Sequence, residues 1–154
     1  MTTTSPNPYA PPTAPVSDPI DSKPQAIWNP NAAANWSLLL SPAFGTTLQM
    51  LNWRALGEPQ RAAIARGWVV ASFILLAFSL APIHSEEVDR LLRLVNVVYV
   101  LGWYFSAGRA QVRYVNARFG TSYPKRPLGM PLLIALVGTL VVLALSFAIS
   151  FLTA

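Results

Sequence analysis

Residues 128–154 read LGMPLLIALVGTLVVLALSFAISFLTA and contain no charged side chain in 27 positions. An α-helix needs only about 20 apolar residues to cross the hydrocarbon core of a bilayer. Pro131 stands near the start of the run, where the first turn of a helix tolerates proline. We therefore predict a transmembrane helix over about residues 131–152, and this segment decides the class of the fold.

Two further stretches have the same character. Residues 67–85 hold no charge, and residues 91–108 hold only Arg93, whose stem can reach the headgroups because it lies near the end of the run. We predict spans at about 67–83 and 91–108. The second helix should continue beyond the membrane to Gly120, with a basic and an apolar side.

The composition agrees with a membrane protein. Of 154 residues, 53% are apolar and only 11% are charged, and the mean hydropathy is +0.43. A chain this short cannot hide several apolar runs in a globular core of its own. It has no cysteine, so no thiolate metal site or thiol nucleophile is available. The net charge of +5 lies beside the apolar runs, which argues against nucleic-acid binding.

The part before the spans divides in two. Residues 1–27 are rich in proline, which blocks helix and sheet, and we predict a disordered cytoplasmic tail. Residues 28–57 are almost uncharged but are interrupted by Pro30, Pro42 and Gly45, so two short helices are expected before a transmembrane region over residues 59–154.

The second short helix should begin at Pro42 and close at Gly57. Its pattern predicts an amphipathic helix at the membrane interface, and a re-entrant hairpin packed against the bundle is the alternative. The apolar stripe consists of Phe44, Leu48, Leu51 and Ala55, and Gln49 and Asn52 lie on another face.

The basic residues give an orientation. Cytoplasmic loops carry an excess of Lys and Arg, and nine of the eleven cations fall on one side of the predicted topology. This predicts a bacterial inner-membrane protein with a cytoplasmic N-terminus and a periplasmic C-terminus. The nine are Lys23, Arg54, Arg61, Arg66, Arg109, Arg113, Arg118, Lys125 and Arg126, against Arg90 and Arg93 on the other side.

Small residues spaced four apart recur in every span and let helix backbones approach closely. They predict a compact three-helix bundle or a homo-oligomer. The candidate packing residues are Gly67 with Ala71, Gly102 with Ser106, Ala144 with Ala148, and Asn96 as an amide able to bond between helices.

A basic cluster after the second span is a candidate site for anionic lipid, although positive-inside topology alone explains the same residues. Its members are Arg109, Arg113, Arg118, Lys125 and Arg126.

No catalytic set, cofactor motif or metal site is predicted. His84, Glu86, Glu87 and Asp89 are ligand types for a divalent ion, but their spacing fits no defined site and favours a solvated turn. No nucleophile elbow or glycine-rich phosphate loop is present. We therefore expect a protein that is not an enzyme.

Several strings in the first half carry a resemblance. Residues 28–39 read WNPNAAANWSLL, residues 42–45 read PAFG, and residues 52–59 read NWRALGEP. With Gly108-Arg109 and the YPKRP segment at 123–127, they resemble an uncharacterised family of small proteobacterial inner-membrane proteins. The resemblance implies an all-helical inner-membrane protein and assigns no activity and no functional residue.

Three functional hypotheses remain open. The first is a non-enzymatic accessory protein that binds a protein partner, or a second copy, by helix packing in the bilayer. The second is an immunity protein that neutralises a membrane-targeting toxin, a likeness of architecture alone. The third is a small channel or transporter subunit, for which Asn96 is the only amide in a predicted span.

Overall fold

The computed structural model describes residues 25–81 and 85–153, and this part of the chain is helical apart from its connections and one isolated backbone bridge. Residues 1–24 of the predicted tail, His84 and the C-terminal Ala154 lie outside the described residues, whereas Ile27, which was also assigned to the tail, is buried and bridges Lys125. The elements are α1 (Pro30–Leu39), α2 (Pro42–Ala55), α3 (Pro59–Leu80), α4 (Glu86–Trp103), a π-helical turn (Tyr104–Gly108), α5 (Arg109–Phe119) and α6 (Gly129–Thr153).

Three helices are long and apolar enough to cross a membrane, and they confirm the three predicted spans: Pro59–Leu80, Glu86–Phe119 and Gly129–Leu152. The chain is a multi-pass membrane protein. The first span ends at Leu80, earlier than the predicted residue 83, because Pro82 disfavours a helical conformation at the residue before it, and Ala81 is extended. The second span continues through the π-helical turn and α5 to Gly120, whose φ of +60° closes the helix as predicted.

Local sequence explains the short helices α1 and α2. The Asn29 side chain accepts a hydrogen bond from the backbone nitrogen of Asn31 at 3.1 Å and caps α1. Pro42 begins α2 directly after Ser41, and Gly57 closes the turn into α3 with a φ of +72°. Both helix boundaries of α2 therefore follow from residues that the sequence marks.

α1 and α2 form a hairpin that packs against the first span. α2 packs along α3, and Thr46 Oγ1 lies 3.2 Å from Ser72 Oγ, inside the first span. Near the hairpin tip, Ser41 lines the same groove as Leu76 of α3. The side chain of Leu39 at the tip is 75% exposed, as suits a residue that faces lipid. These contacts show that the hairpin packs against the spans, and its depth in the bilayer stays a prediction.

The packing motifs predicted a compact three-helix bundle or a homo-oligomer. Within the chain, the hairpin packs between the long helices, and these do not form a compact bundle by themselves. The long helices contact one another sparingly, while α2 packs extensively on α3, so the hairpin provides much of the contact between elements. The buried apolar clusters contain Ile27, Val115 and Tyr123; Ala33, Phe44 and Leu48; and Trp53, Ala62 and Ala65.

α6 joins the body mainly through its first turns. Leu132 and Ala135 pack against the Ala33–Phe44–Leu48 cluster, and the spanning window of α6 contains no buried residue. The start of α6 is held by a backbone bridge, since Ile27 N donates to Pro124 O at 3.1 Å and Arg126 N donates to Ile27 O at 2.8 Å. The third span is therefore largely exposed along its length and joins the body at the basic end.

Candidate functional site

A network of buried amides joins the hairpin to the second span. The side chain of Asn52 is fully buried and bonds both backbone groups of Trp28, accepting from N at 2.9 Å and donating to O at 2.8 Å. Its Nδ2 also donates to Gln111 Oε1 at 3.3 Å. Gln111 Nε2 in turn donates to the backbone oxygen of Gln49 at 2.9 Å. The network fixes α2 and α5 relative to the backbone at Trp28, just before α1.

The same network continues through an indole. Trp103 Nε1 donates to Gln49 Oε1 at 2.7 Å, and both side chains are buried. Among the described residues, no buried side-chain nitrogen or oxygen lacks a hydrogen-bond partner. Because a buried amide in a dry interior is costly only when unpaired, this interior is stabilised by mutual pairing.

A second group of polar side chains joins α2 to the first two spans. Ser72 Oγ is 3.2 Å from Thr46 Oγ1 and 2.9 Å from Tyr99 Oη, and Tyr99 also donates to the backbone oxygen of Trp68. These contacts connect α2, α3 and α4 at one level. Hydrogen bonds of this kind between membrane helices are typically worth about 0.6 kcal/mol each.

Gly45 allows the closest approach within the hairpin. A Cβ atom at this position would lie 1.8 Å from Ser37 Oγ and 2.6 Å from Trp103 Cη2. No side chain fits there, so α1 and α2 meet, and Trp103 inserts, only because residue 45 is glycine.

Aromatic and charged side chains cluster at the basic end. The Arg61 guanidinium lies 4.4 Å from the Tyr114 ring centroid and 5.0 Å from that of Trp53, and Arg61 Nε is 3.8 Å from Glu58 Oε2. Tyr114 donates to Glu58 Oε1 and accepts from Arg118. This cluster joins the start of α3 to α5, where an indole, a phenol and cations suit the headgroup region.

Two concave surfaces open beside the polar interior. A cleft of about 680 Å³ lies between α3 and α5, with Arg61 and Arg113 among its lining residues and Gln49 at its inner side. A groove of about 840 Å³ runs between the hairpin and α6, with Arg126 and Trp28 at one end, and its other lining is almost wholly apolar.

Two of the five predicted lipid-contact residues, Arg113 and Arg126, line these surfaces. Arg113 lines the cleft, and Arg109 lies over the Phe105 ring at 5.5 Å. Arg118 bonds Tyr114, so part of its donor capacity is already used. Arg126 lies 4.8 Å from the Trp28 ring centroid at the head of the groove, and Lys125 lies 5.4 Å from the ring of Tyr123. Burial raises the pKa of the Tyr123 phenol, which stays neutral beside Lys125 at neutral pH.

The predicted packing residues do not carry the contacts between spans inside this chain. Gly67 and Gly102 have no atom within 4 Å of a built Cβ position, and Ala144 and Ala148 are exposed. Ala71 is half-buried, and Ser106 donates to the Gly102 backbone within its own helix. Asn96 Nδ2 likewise donates to Leu92 O at 3.0 Å, one turn back, and not to a neighbouring helix.

The residues that do build the interior were missed as site residues. Gln49 and Asn52 gave a signal, since two amides three positions apart share one face of a helix in an uncharged stretch. Gln111 gave none, because it stands among arginines in a segment that reads as a surface helix.

No family model, curated protein or solved structure matches the chain. The resemblance to small proteobacterial inner-membrane proteins therefore stays a prediction. Among residues 25–81 and 85–153, no group of three or more His, Cys, Asp and Glu side chains lies close enough to hold a metal ion.

Proposed function

We propose that this chain is a non-enzymatic membrane protein that binds another transmembrane helix through the outer face of α6. One observation carries the proposal: the small pair Ala144 and Ala148 lies on the side of α6 that points away from the rest of the chain. The two faces of α6 differ in burial.

One face of α6 is directed to the body. Its half-buried residues recur every three or four positions, which places them on one side of a helix with 3.6 residues per turn. They are Leu132, Ala135, Thr139, Val142, Ser146 and Ile149.

The opposite face is exposed along its length and combines small and bulky residues. Each helical position advances by about 100°, so residues 144 and 148 lie roughly opposite the half-buried stripe. Small residues in a span allow a second backbone to approach, and flanking Val and Phe side chains provide packing around that contact. The exposed face contains Val137, Val141, Ala144, Ala148 and Phe151.

The polar interior supports an interaction role over transport. A transported ion or solute needs polar groups that can exchange partners at membrane depth. Gln49, Asn52 and Gln111 instead bond one another and the backbone, so they serve to hold the hairpin in place. An accessory subunit and an immunity protein would both use a lateral surface such as the α6 outer face.

We further propose an inner-membrane location with the basic end in the cytoplasm. The contact between Glu58 and Tyr114 and the bridge between Ile27 and Lys125 bring four chain segments to this end. Arg54, Arg61, Arg118 and Arg126 belong to these segments or adjoin them, and an excess of arginine favours the cytoplasmic side.

Site-specific photo-crosslinking in native membranes tests the α6 face. A photoreactive residue at Ala148 should yield an adduct of defined mass, and the same residue at Ser146 should yield little, because Ser146 has the same depth but faces the body. The mass of the adduct distinguishes a second copy from another protein. Equal adducts at both positions, or none at Ala148, would contradict the proposal.

A further inference from the structure

The groove between the hairpin and α6 lies on a different side of α6 from the partner face. Its walls are Phe44 and Leu48 of α2 and Ile134 of α6, and Phe73 and Leu76 of α3 also line it. Gly138 leaves the groove open, since a Cβ built there meets no atom within 4 Å. An apolar channel of this kind needs an apolar occupant.

The groove has the length of one acyl chain. On α6 its lining extends from Met130 to Val142, a rise of about 18 Å at 1.5 Å per residue. Half of a typical hydrocarbon core is about 15 Å thick. A chain that enters at Met130 would therefore reach the middle of the bilayer beside Leu76.

The head of the groove is cationic and held in place. The Arg126 guanidinium lies over the indole of Trp28, and Trp28 Nε1 donates to Pro127 O at 3.2 Å. The backbone of Trp28 is fixed by buried Asn52. The ion pair between described residues joins Arg61 to Glu58. No carboxylate of the described residues pairs with Arg126, so its guanidinium can bind an anionic ligand.

We propose that this groove binds one anionic phospholipid from the leaflet at the basic end, with an acyl chain between α2 and α6 and its phosphate at Arg126. A guanidinium suits phosphate because its planar fork donates two parallel hydrogen bonds. Lys125 lies next to Arg126 and adds a second cation at the headgroup level. The combination of one cationic end and one apolar channel matches a lipid better than it matches a protein helix, which would leave Arg126 without an anion.

Native mass spectrometry of the purified full-length chain tests this binding. The protein is offered phosphatidylglycerol and phosphatidylcholine with identical acyl chains. We expect the anionic lipid to be retained at least about fivefold better, the effect of a single cation near the headgroups. Arg126→Gln should lower that preference about fivefold, the contribution of one cation, while lipid is still retained because Lys125 and the apolar channel remain.

A second part of the experiment fills the apolar channel with a larger side chain. Gly138→Leu should reduce retention of both lipids several-fold, because the new side chain enters the groove without striking the backbone. Gly102→Leu is the matched control, since Gly102 is also a span glycine in open space but lies outside the groove, and it should retain lipid like the wild type. Where Gly138→Leu fails to fold, Thr139→Leu fills the same groove from the neighbouring position.

Three results would overturn the proposal. The first is equal retention of the two lipids by the wild type. The second is retention by Gly138→Leu and Thr139→Leu at the level of the Gly102→Leu control. The third is a dimer that separates into monomers on Gly138→Leu, because a second copy would then occupy the groove.

Discussion

Gly45 shows how one residue decides whether the hairpin can close. Gly45→Ala should destabilise the protein by about 1–3 kcal/mol, because the new methyl group would overlap Ser37 and Trp103 in a packed interior. Unfolding of the purified protein in detergent, followed by tryptophan fluorescence, measures the change. Gly102→Ala is the control, and this exposed helical position should be neutral or slightly more stable. Equal behaviour of the two variants would show that the approach at Gly45 is not tight.

Asn52 provides a second test with a matched asparagine elsewhere in the chain. Asn52→Leu leaves the backbone nitrogen and oxygen of Trp28 without their side-chain partner, at a cost of about 1–3 kcal/mol for each group that stays buried. Asn96→Leu should change stability little, because Asn96 is half-buried and bonds only its own helix. The same unfolding assay compares the two, and a larger loss for Asn96→Leu would contradict the assigned roles.

The sequence revealed individual residues only where a local rule applies. Pro42, Gly57 and Gly120 mark helix ends through their own backbone preferences, and the structure places them there. Gly45 is important because of Trp103, which lies 58 positions later in the chain. Gln111 is important because of Gln49, which lies 62 positions earlier, so no local pattern could reveal either role.

At the level of elements, α2 illustrates why an amphipathic pattern is ambiguous near a membrane. A polar face predicts contact with water or headgroups when the helix lies at an interface. In α2 both Gln49 and Leu48 are buried, because polar neighbours from α5 and apolar neighbours from α6 pack on different sides. The existence of the helix was predictable, whereas its surroundings depended on the tertiary fold.

The π-helical turn at Tyr104–Gly108 was not predictable either. Such turns place one extra residue in a helix and are frequent at functional sites. Here the turn separates Trp103 from Gln111, and both side chains bond Gln49. The turn therefore sets the relative rotation of α4 and α5 that lets two residues of one long helix meet the same partner.

Re-entry of the hairpin is testable because the chain has no cysteine. Leu39→Cys should not react with a membrane-impermeant maleimide from either side in intact membranes. The side chain is 75% exposed, so its protection must come from lipid and not from protein. Gln60→Cys at the start of α3 is the reactive control, because its side chain is exposed at the basic end. Rapid labelling of Leu39→Cys would place α1 and α2 at the interface instead.

For the whole molecule, hydropathy was sufficient to predict the spans but not their packing. The lengths of the uncharged runs reflect a bilayer of fixed thickness, and this constraint acts on each run separately. Packing between spans is not driven by hydrophobicity, because lipid tails are as apolar as the side chains. Small residues such as Gly67 and Gly102 therefore mark faces where another helix could approach. Within this chain, the contacts between elements are made mainly by the hairpin.

Cysteine labelling tests whether the first two long helices cross the membrane and, separately, which way they are oriented. Single cysteines at Glu87, Gln60 and Lys125 occupy exposed positions at the two ends of the long helices. Because one crossing lies between Glu87 and each of the others, Gln60→Cys and Lys125→Cys should react from one side of the membrane and Glu87→Cys from the other. The proposed orientation, inferred from the excess of arginine at the basic end, puts Gln60 and Lys125 in the cytoplasm, so an impermeant maleimide should label Glu87→Cys in intact cells and the other two only in inverted vesicles. Labelling of all three from one side would contradict the first two crossings, whereas the reverse pattern would contradict only the orientation.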